Sequence, residues 1–203
     1  MKLYDGGRAP NPRRVRIYLA EKGIDIPMVP VDMGALEHKS AEVTALNPFQ
    51  RLPVLVLDDG TVLTETIAIC RYLEELHPEP PLFGTTALER ALVEMWQRRV
   101  EFMLFATVAA AFRHTHPAMK EWEVPQIAEW GEANRPKAIE FLNLLDREMA
   151  DREFIAGDSY SIADITGMIG IDFMKPARIE LPQELSNVRR WYEAVSSRPS
   201  AGA

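Results

Sequence analysis

A single cysteine, Cys70, stands in 203 residues, which excludes an internal disulfide and argues against an oxidising compartment. The cytoplasm is therefore the expected location. Positive charge is also scarce: 23 Lys and Arg against 30 Asp and Glu give a net charge of −7. Nucleic-acid affinity depends on neutralising phosphates, so no nucleic acid is expected as a partner. Long apolar runs are missing too. The longest, residues 102–112, contains Thr107 and falls far short of the roughly 20 residues needed to span a bilayer, so no membrane partner is expected. Residues 1–7 lack the basic, apolar and small succession of a secretory leader, and no fixed-period repeat or low-complexity tract points to a solenoid or propeller. His114 and His116 precede Pro117 with no cysteine or carboxylate at ligand spacing, and no metal is expected.

What remains is an ordinary soluble composition, 47% hydrophobic and 26% charged, in a chain long enough for two small domains. Pro78, Pro80 and Pro81 forbid a continuous helix and mark the boundary. The expected division is an α/β domain over 1–77, a linker over 78–84 and an all-helical domain over 85–203. In the first part, short β-type runs at 2–4, 28–31, 54–57 and 62–64 alternate with helical patterns at 15–22 and 67–76. Asp58-Asp59-Gly60 between two apolar runs predicts an antiparallel hairpin, so the sheet should be mixed. In the second part, apolar residues at three- and four-residue spacing predict helices over 88–112 and 127–149. Ser161 and Asp164 predict a capping box, and Asn187 is the expected N-cap of a last helix ending before Pro199.

Three places could carry chemistry. Residues 9–16 open the first helix, with Asn11 suited to N-cap and Pro12 to the first helical position. Arg13 and Arg14 then fall where the helix N-terminus disfavours cations, which a bound anion would offset. A plain helix start and an anion site both stay open. Leu52-Pro53 precedes an apolar strand, marking a strand start or a turn. Thr64-Glu65-Thr66 opens another helix, where Thr64 or Thr66 serves as a cap. Cys70 shares an apolar stripe with Ile69 and Leu73 and reads as buried.

Together, Asn11-Pro12-Arg13-Arg14-Val15-Arg16-Ile17, Asn47-Pro48-Phe49-Gln50-Arg51-Leu52-Pro53, Glu65-Thr66-Ile67-Ala68 and Ser161-Ile162-Ala163-Asp164 resemble the soluble glutathione transferase family along essentially the whole chain. The resemblance implies a thioredoxin-like N-terminal domain with Pro53 in cis, an all-α C-terminal domain and a homodimer. It also implies glutathione as co-substrate. On the family's pattern Leu52 meets the cysteinyl backbone, Glu65 and Thr66 hold the γ-glutamyl end, and His38, Lys39, Gln50 and Arg51 meet the glycyl carboxylate, with Pro53 and Ala9 completing the binding set. Ala9 stands where a reactive hydroxyl or thiol is usual and can supply neither. Asn11 is thus the candidate catalytic residue, donating its amide N–H to the glutathione sulfur, and Tyr4 is a second candidate. An electrophile pocket is expected between the domains, near Met103, Phe105 and Thr107. The implied activity is detoxifying conjugation of glutathione to small hydrophobic electrophiles. The alternatives are disulfide or peroxide reduction at the same site, or a non-catalytic binding and assembly module.

Overall fold

The computed structural model describes all 203 residues. They form two units, Met1–Pro81 together with Pro199–Ala203, and Leu82–Arg198. The return of the last five residues to the first unit differs from the division expected from composition. A short turn, Pro199–Gly202, is held there: the Arg13 guanidinium donates to the Ala201 carbonyl at 2.8 Å, and the Ser200 hydroxyl donates to Glu21.

The first unit has strands β1 (Lys2–Asp5), β2 (Met28–Pro30), β3 (Val54–Val56) and β4 (Val62–Thr64), and helices α1 (Pro10–Lys22), α2 (Ala41–Leu46) and α3 (Thr66–Leu76). Sheet order is β2-β1-β3-β4, with β1 parallel to β2 and both other pairings antiparallel. The β3–β4 hairpin turns at Gly60, whose φ of 86° is open to glycine at no steric cost. Tyr4, Val31, Val43, Leu52 and Val54 form a buried cluster in this unit. Between α1 and α3 lies a polar one: Tyr18 donates to Glu74 at 2.7 Å and Lys22 pairs with Glu74 at 2.6 Å. Burial and the Glu74 contact push the Tyr18 hydroxyl well above its usual range. The 3-10 turn Glu37–Lys39 and α2 escape a periodicity reading because each is too short to show a face.

The second unit contains α4 (Ala87–Val100), α5 (Ala106–Thr115), α6 (Ala128–Glu148), α7 (Ile162–Met174) and α8 (Ser186–Ser196). The helix expected over 88–112 is α4 and α5 joined by a π-helical stretch, Glu101–Phe105. No helix is long and apolar enough to cross a membrane. At the centre, α7 is buried along almost its full length, and its start is organised by Asp164, 0% exposed. One Asp164 oxygen accepts from Ile155 N at 2.9 Å and Trp191 Nε1 at 2.8 Å, the other from the N–H and hydroxyl of Ser161, both at 2.9 Å. Burial pushes this carboxyl up and the four donors oppose the shift. All four partners donate, a set that suits the ionised, acceptor-only form. The expected cap at Asn187 is not what starts α8. Leu185 is the N-cap, because Asp146 takes the Asn187 and Val188 N–H groups at 2.8 and 2.9 Å and draws Asn187 inside the helix.

Candidate active site

The residues singled out for glutathione, Ala9 through Thr66, all lie in the α/β unit. At the start of α1 the N-cap is Ala9, extended at φ −63° and ψ 139°, rather than Asn11. Pro10 and Pro12 hold the first and third helical positions and carry no N–H, so a side-chain cap has little to satisfy. Asn11 therefore falls at the second position with its side chain released from capping, and its Oδ1 accepts from Arg14 at 3.1 Å. With α1 beginning at Pro10, Arg13 and Arg14 are its fourth and fifth residues, at and beyond the end of the first turn, and both have local partners. Arg13 reaches Ala201 and Arg14 reaches Asn11, so no anion is needed to explain them. The preceding turn is fastened by Arg16, which donates to Asp5 at 2.5 Å and to the Gly7 carbonyl at 2.8 Å. Gly6 is closely enclosed: a Cβ there would lie 3.1 Å from a Leu52 methyl and 3.3 Å from both Pro12 and Met33, so those side chains would have to give by a few tenths of an ångström.

That approach brings Leu52 beside the start of α1. Leu52 and Pro53 are buried, their peptide bond is cis, and β3 follows. The loop before them is braced by Asn47, a buried residue whose structural part the sequence does not reveal. Its amide donates to the Arg51 carbonyl at 2.8 Å, its Oδ1 accepts from Phe49 N at 3.1 Å, and its carbonyl accepts from Gln50 N at 2.8 Å. Gln50 sits at φ 54° and its side chain donates to Thr44 at 3.1 Å.

At α3 the N-cap is Glu65, not Thr64 or Thr66. Its φ is 69° and ψ 121°, and no side chain caps the helix. Positive φ is costly for a residue with a Cβ and clusters at functional sites. Here it turns the exposed Glu65 carboxylate out beside the helix start, with Thr66 buried at the first helical position.

Lys39 and Arg51 are exposed, whereas His38 is fully buried. Burial, with help from the charges of Lys39 and Arg51, holds the His38 ring below its usual pKa. It is thus a neutral interior group at neutral pH, and the two cations near it are what the surface presents. Tyr4 is 3% exposed and its hydroxyl donates to Glu42 at 2.8 Å, so reaching a sulfur would break that bond. Cys70 is buried and its thiol is pushed up to about 12 by burial, which leaves it unreactive. In the helical unit Phe105 and Thr107 are buried and Met103 is 52% exposed.

The glutathione S-transferase N-terminal domain family matches residues 9–76, and the glutathione S-transferase C-terminal domain family matches 103–199. Glutathione S-transferase 2 of Saccharomyces cerevisiae is 38% identical over 98% of this chain and 87% of its own length. The crystal structure of Gtt2 from Saccharomyces cerevisiae superposes with a TM-score of 0.94 at 38% identity, covering 100% of this chain and 99% of that one. A glutathione S-transferase domain-containing protein from Marinobacter aquaeolei gives a TM-score of 0.92 at 38% identity, covering 98% of this chain and 99% of the other. Two family domains in order, a mixed four-stranded sheet followed by a helical unit, and an open helix start beside a buried Leu-Pro pair thus agree that the chain belongs to the glutathione S-transferases, enzymes that use glutathione as co-substrate.

Proposed function

We propose that this transferase conjugates glutathione to small hydrophobic electrophiles, with Asn11 donating to the sulfur. The observation that carries the reading is the uncapped start of α3, where first-turn N–H groups and an outward carboxylate from Glu65 stand together. That pair suits the γ-glutamyl end of the tripeptide: the N–H groups donate to its carboxylate and Glu65 accepts from its ammonium. The exposed Lys39 and Arg51 suit the glycyl carboxylate. Leu52, fixed against Gly6, offers backbone between these two ends for the cysteinyl part. Glutathione supplies the nucleophile, a thiolate. The protein's task is to keep that sulfur at the start of α1, where a helix N-terminus and the Asn11 amide favour the anion.

Thermal shift with glutathione tests the reading directly. A ligand at about 100 times its dissociation constant stabilises by roughly 2.7 kcal/mol, so a clear rise in Tm is expected, cut to half or less in Glu65→Ala at the same glutathione concentration. A flat response in the parent protein would sink the reading and favour a binding or assembly module. Disulfide or peroxide reduction is a second reading, favoured by the alanine at position 9. Because Cys70 is buried with a raised pKa, any such exchange would have to run between two glutathione molecules. Parallel assays on an aromatic electrophile and on a glutathione mixed disulfide separate the two. We further propose a homodimer, on the strength of exposed Phe49 at 75% and exposed Leu88 at 69%, and a cytoplasmic location, on the strength of a single, buried cysteine; light scattering at two concentrations checks the dimer.

A further inference from the structure

Arg14 is 1% exposed and is the fifth residue of α1, one turn after Asn11. A cation there is disfavoured by burial unless its donors find acceptors. Its guanidinium meets the Oδ1 of Asn11 at 3.1 Å. Guanidinium nitrogens only donate, so the amide atom facing them must be the oxygen, and the NH2 of Asn11 is turned to the opposite side. A charged donor on the carbonyl also polarises the amide and strengthens its N–H as a donor. Arg14's charge bears on α3 as well, where it opposes the burial that raises the Cys70 thiol.

We propose that Arg14 is a positioning residue for the thiol chemistry: it grips the Asn11 amide by its oxygen so that the NH2 is the end presented to the glutathione sulfur. The proposal rests on the reading of Asn11 given above and adds what makes an asparagine serve there. A free amide presents either end, and its oxygen would repel a thiolate.

The test measures thiolate absorbance of bound glutathione against pH in the parent, Asn11→Ala, Arg14→Met and the double variant, with urea unfolding to confirm that each is folded. Asn11→Ala should raise the bound thiol pKa by about one unit, a tenfold loss of thiolate near neutrality. Arg14→Met should raise it comparably while leaving KM for glutathione near the parental value, and should add nothing in the Asn11→Ala background. Arg14→Lys, which keeps the charge and a donor, should recover part of the shift. A folded Arg14→Met with the parental pKa, beside a shifted Asn11→Ala, overturns the positioning role and leaves the Asn11 reading standing. An equal shift from Arg14→Met whether or not Asn11 is present also overturns it, since the charge would then act directly. An unshifted Asn11→Ala removes the Asn11 reading and this proposal together. Should Arg14→Met fail to fold, the parent decides: the Asn11 side-chain amide, assigned in NMR by its loss in Asn11→Ala, should show restrained motion and proximity to the guanidinium. A freely rotating amide overturns the proposal.

Discussion

In the helical unit α7 begins where Ser161 and Asp164 satisfy one another, and α4 begins where Thr86 accepts from Glu89 N and Glu89 reaches back to Thr86 N, both at 3.2 Å. In the α/β unit α3 begins at Glu65 with no side chain on its first N–H groups, and α1 begins at Ala9 between prolines. α6 also starts without a side-chain cap, so an open start alone marks nothing. What sets α3 apart is a residue held at positive φ with its carboxylate in solvent. A capped start contributes about 1 kcal/mol to folding. An open one forgoes that and keeps its donors for something that is not protein.

The difference can be broken most forcefully at Asp164. Asp164→Ala leaves the N–H groups of Ile155, Ser161 and Trp191 without their acceptor, and urea unfolding should show a loss of about 3 kcal/mol or more. Glutathione affinity of whatever remains folded should be little changed. Glu65→Ala should do the reverse: a charge-assisted hydrogen bond contributes about 1.5–3 kcal/mol, so glutathione Kd in calorimetry should rise roughly tenfold to a hundredfold. Glu65→Gly sharpens the contrast, because glycine accepts that φ. It should lose the same affinity while gaining about 1 kcal/mol of stability. At α4, Thr86→Ala should cost about 1 kcal/mol in unfolding and nothing in kinetics.

The smallest effect is expected with pH. His38 binds its proton less tightly folded than unfolded, so the unfolded state takes up more protons as pH falls through the ordinary histidine value of about 6.5. Stability contributed by the neutral, buried ring is whole above that value and declines below it. Tm measured from pH 7.5 to 5.5 should fall, and His38→Gln should flatten the part of the slope due to this residue.

The capping box at Ser161 and the hairpin at Gly60 were legible because each is written within four residues. The order of elements in the first unit was legible from alternating periodicities. The cap at Asn187 was not, because its N–H is claimed by Asp146 on α6, 41 residues earlier. The start of α1 misled for a different reason: Asn-Pro reads as N-cap and first position, but Pro10 already provides a first residue with preset φ, and Arg14 takes the side chain that would have capped. Glu65 shows the limit of propensity. Two threonines flank it, both better caps, yet the backbone turns at the glutamate. The resemblance places His38 at the glycyl carboxylate, whereas its ring lies in the interior; only packing distinguishes it from its neighbour Lys39.

The bond from Arg13 to Ala201 also bears on the order in which the protein can be made. The α/β unit is discontinuous in sequence: its last piece leaves the ribosome only after residues 82–198 have been synthesised. Domains generally fold as units during synthesis, and here one small piece of a unit is separated from the rest by the whole of the other. Until Pro199–Ala203 arrives, α1 lacks the partner of Arg13 and of Glu21, so the helical unit has its whole sequence before the unit that precedes it does.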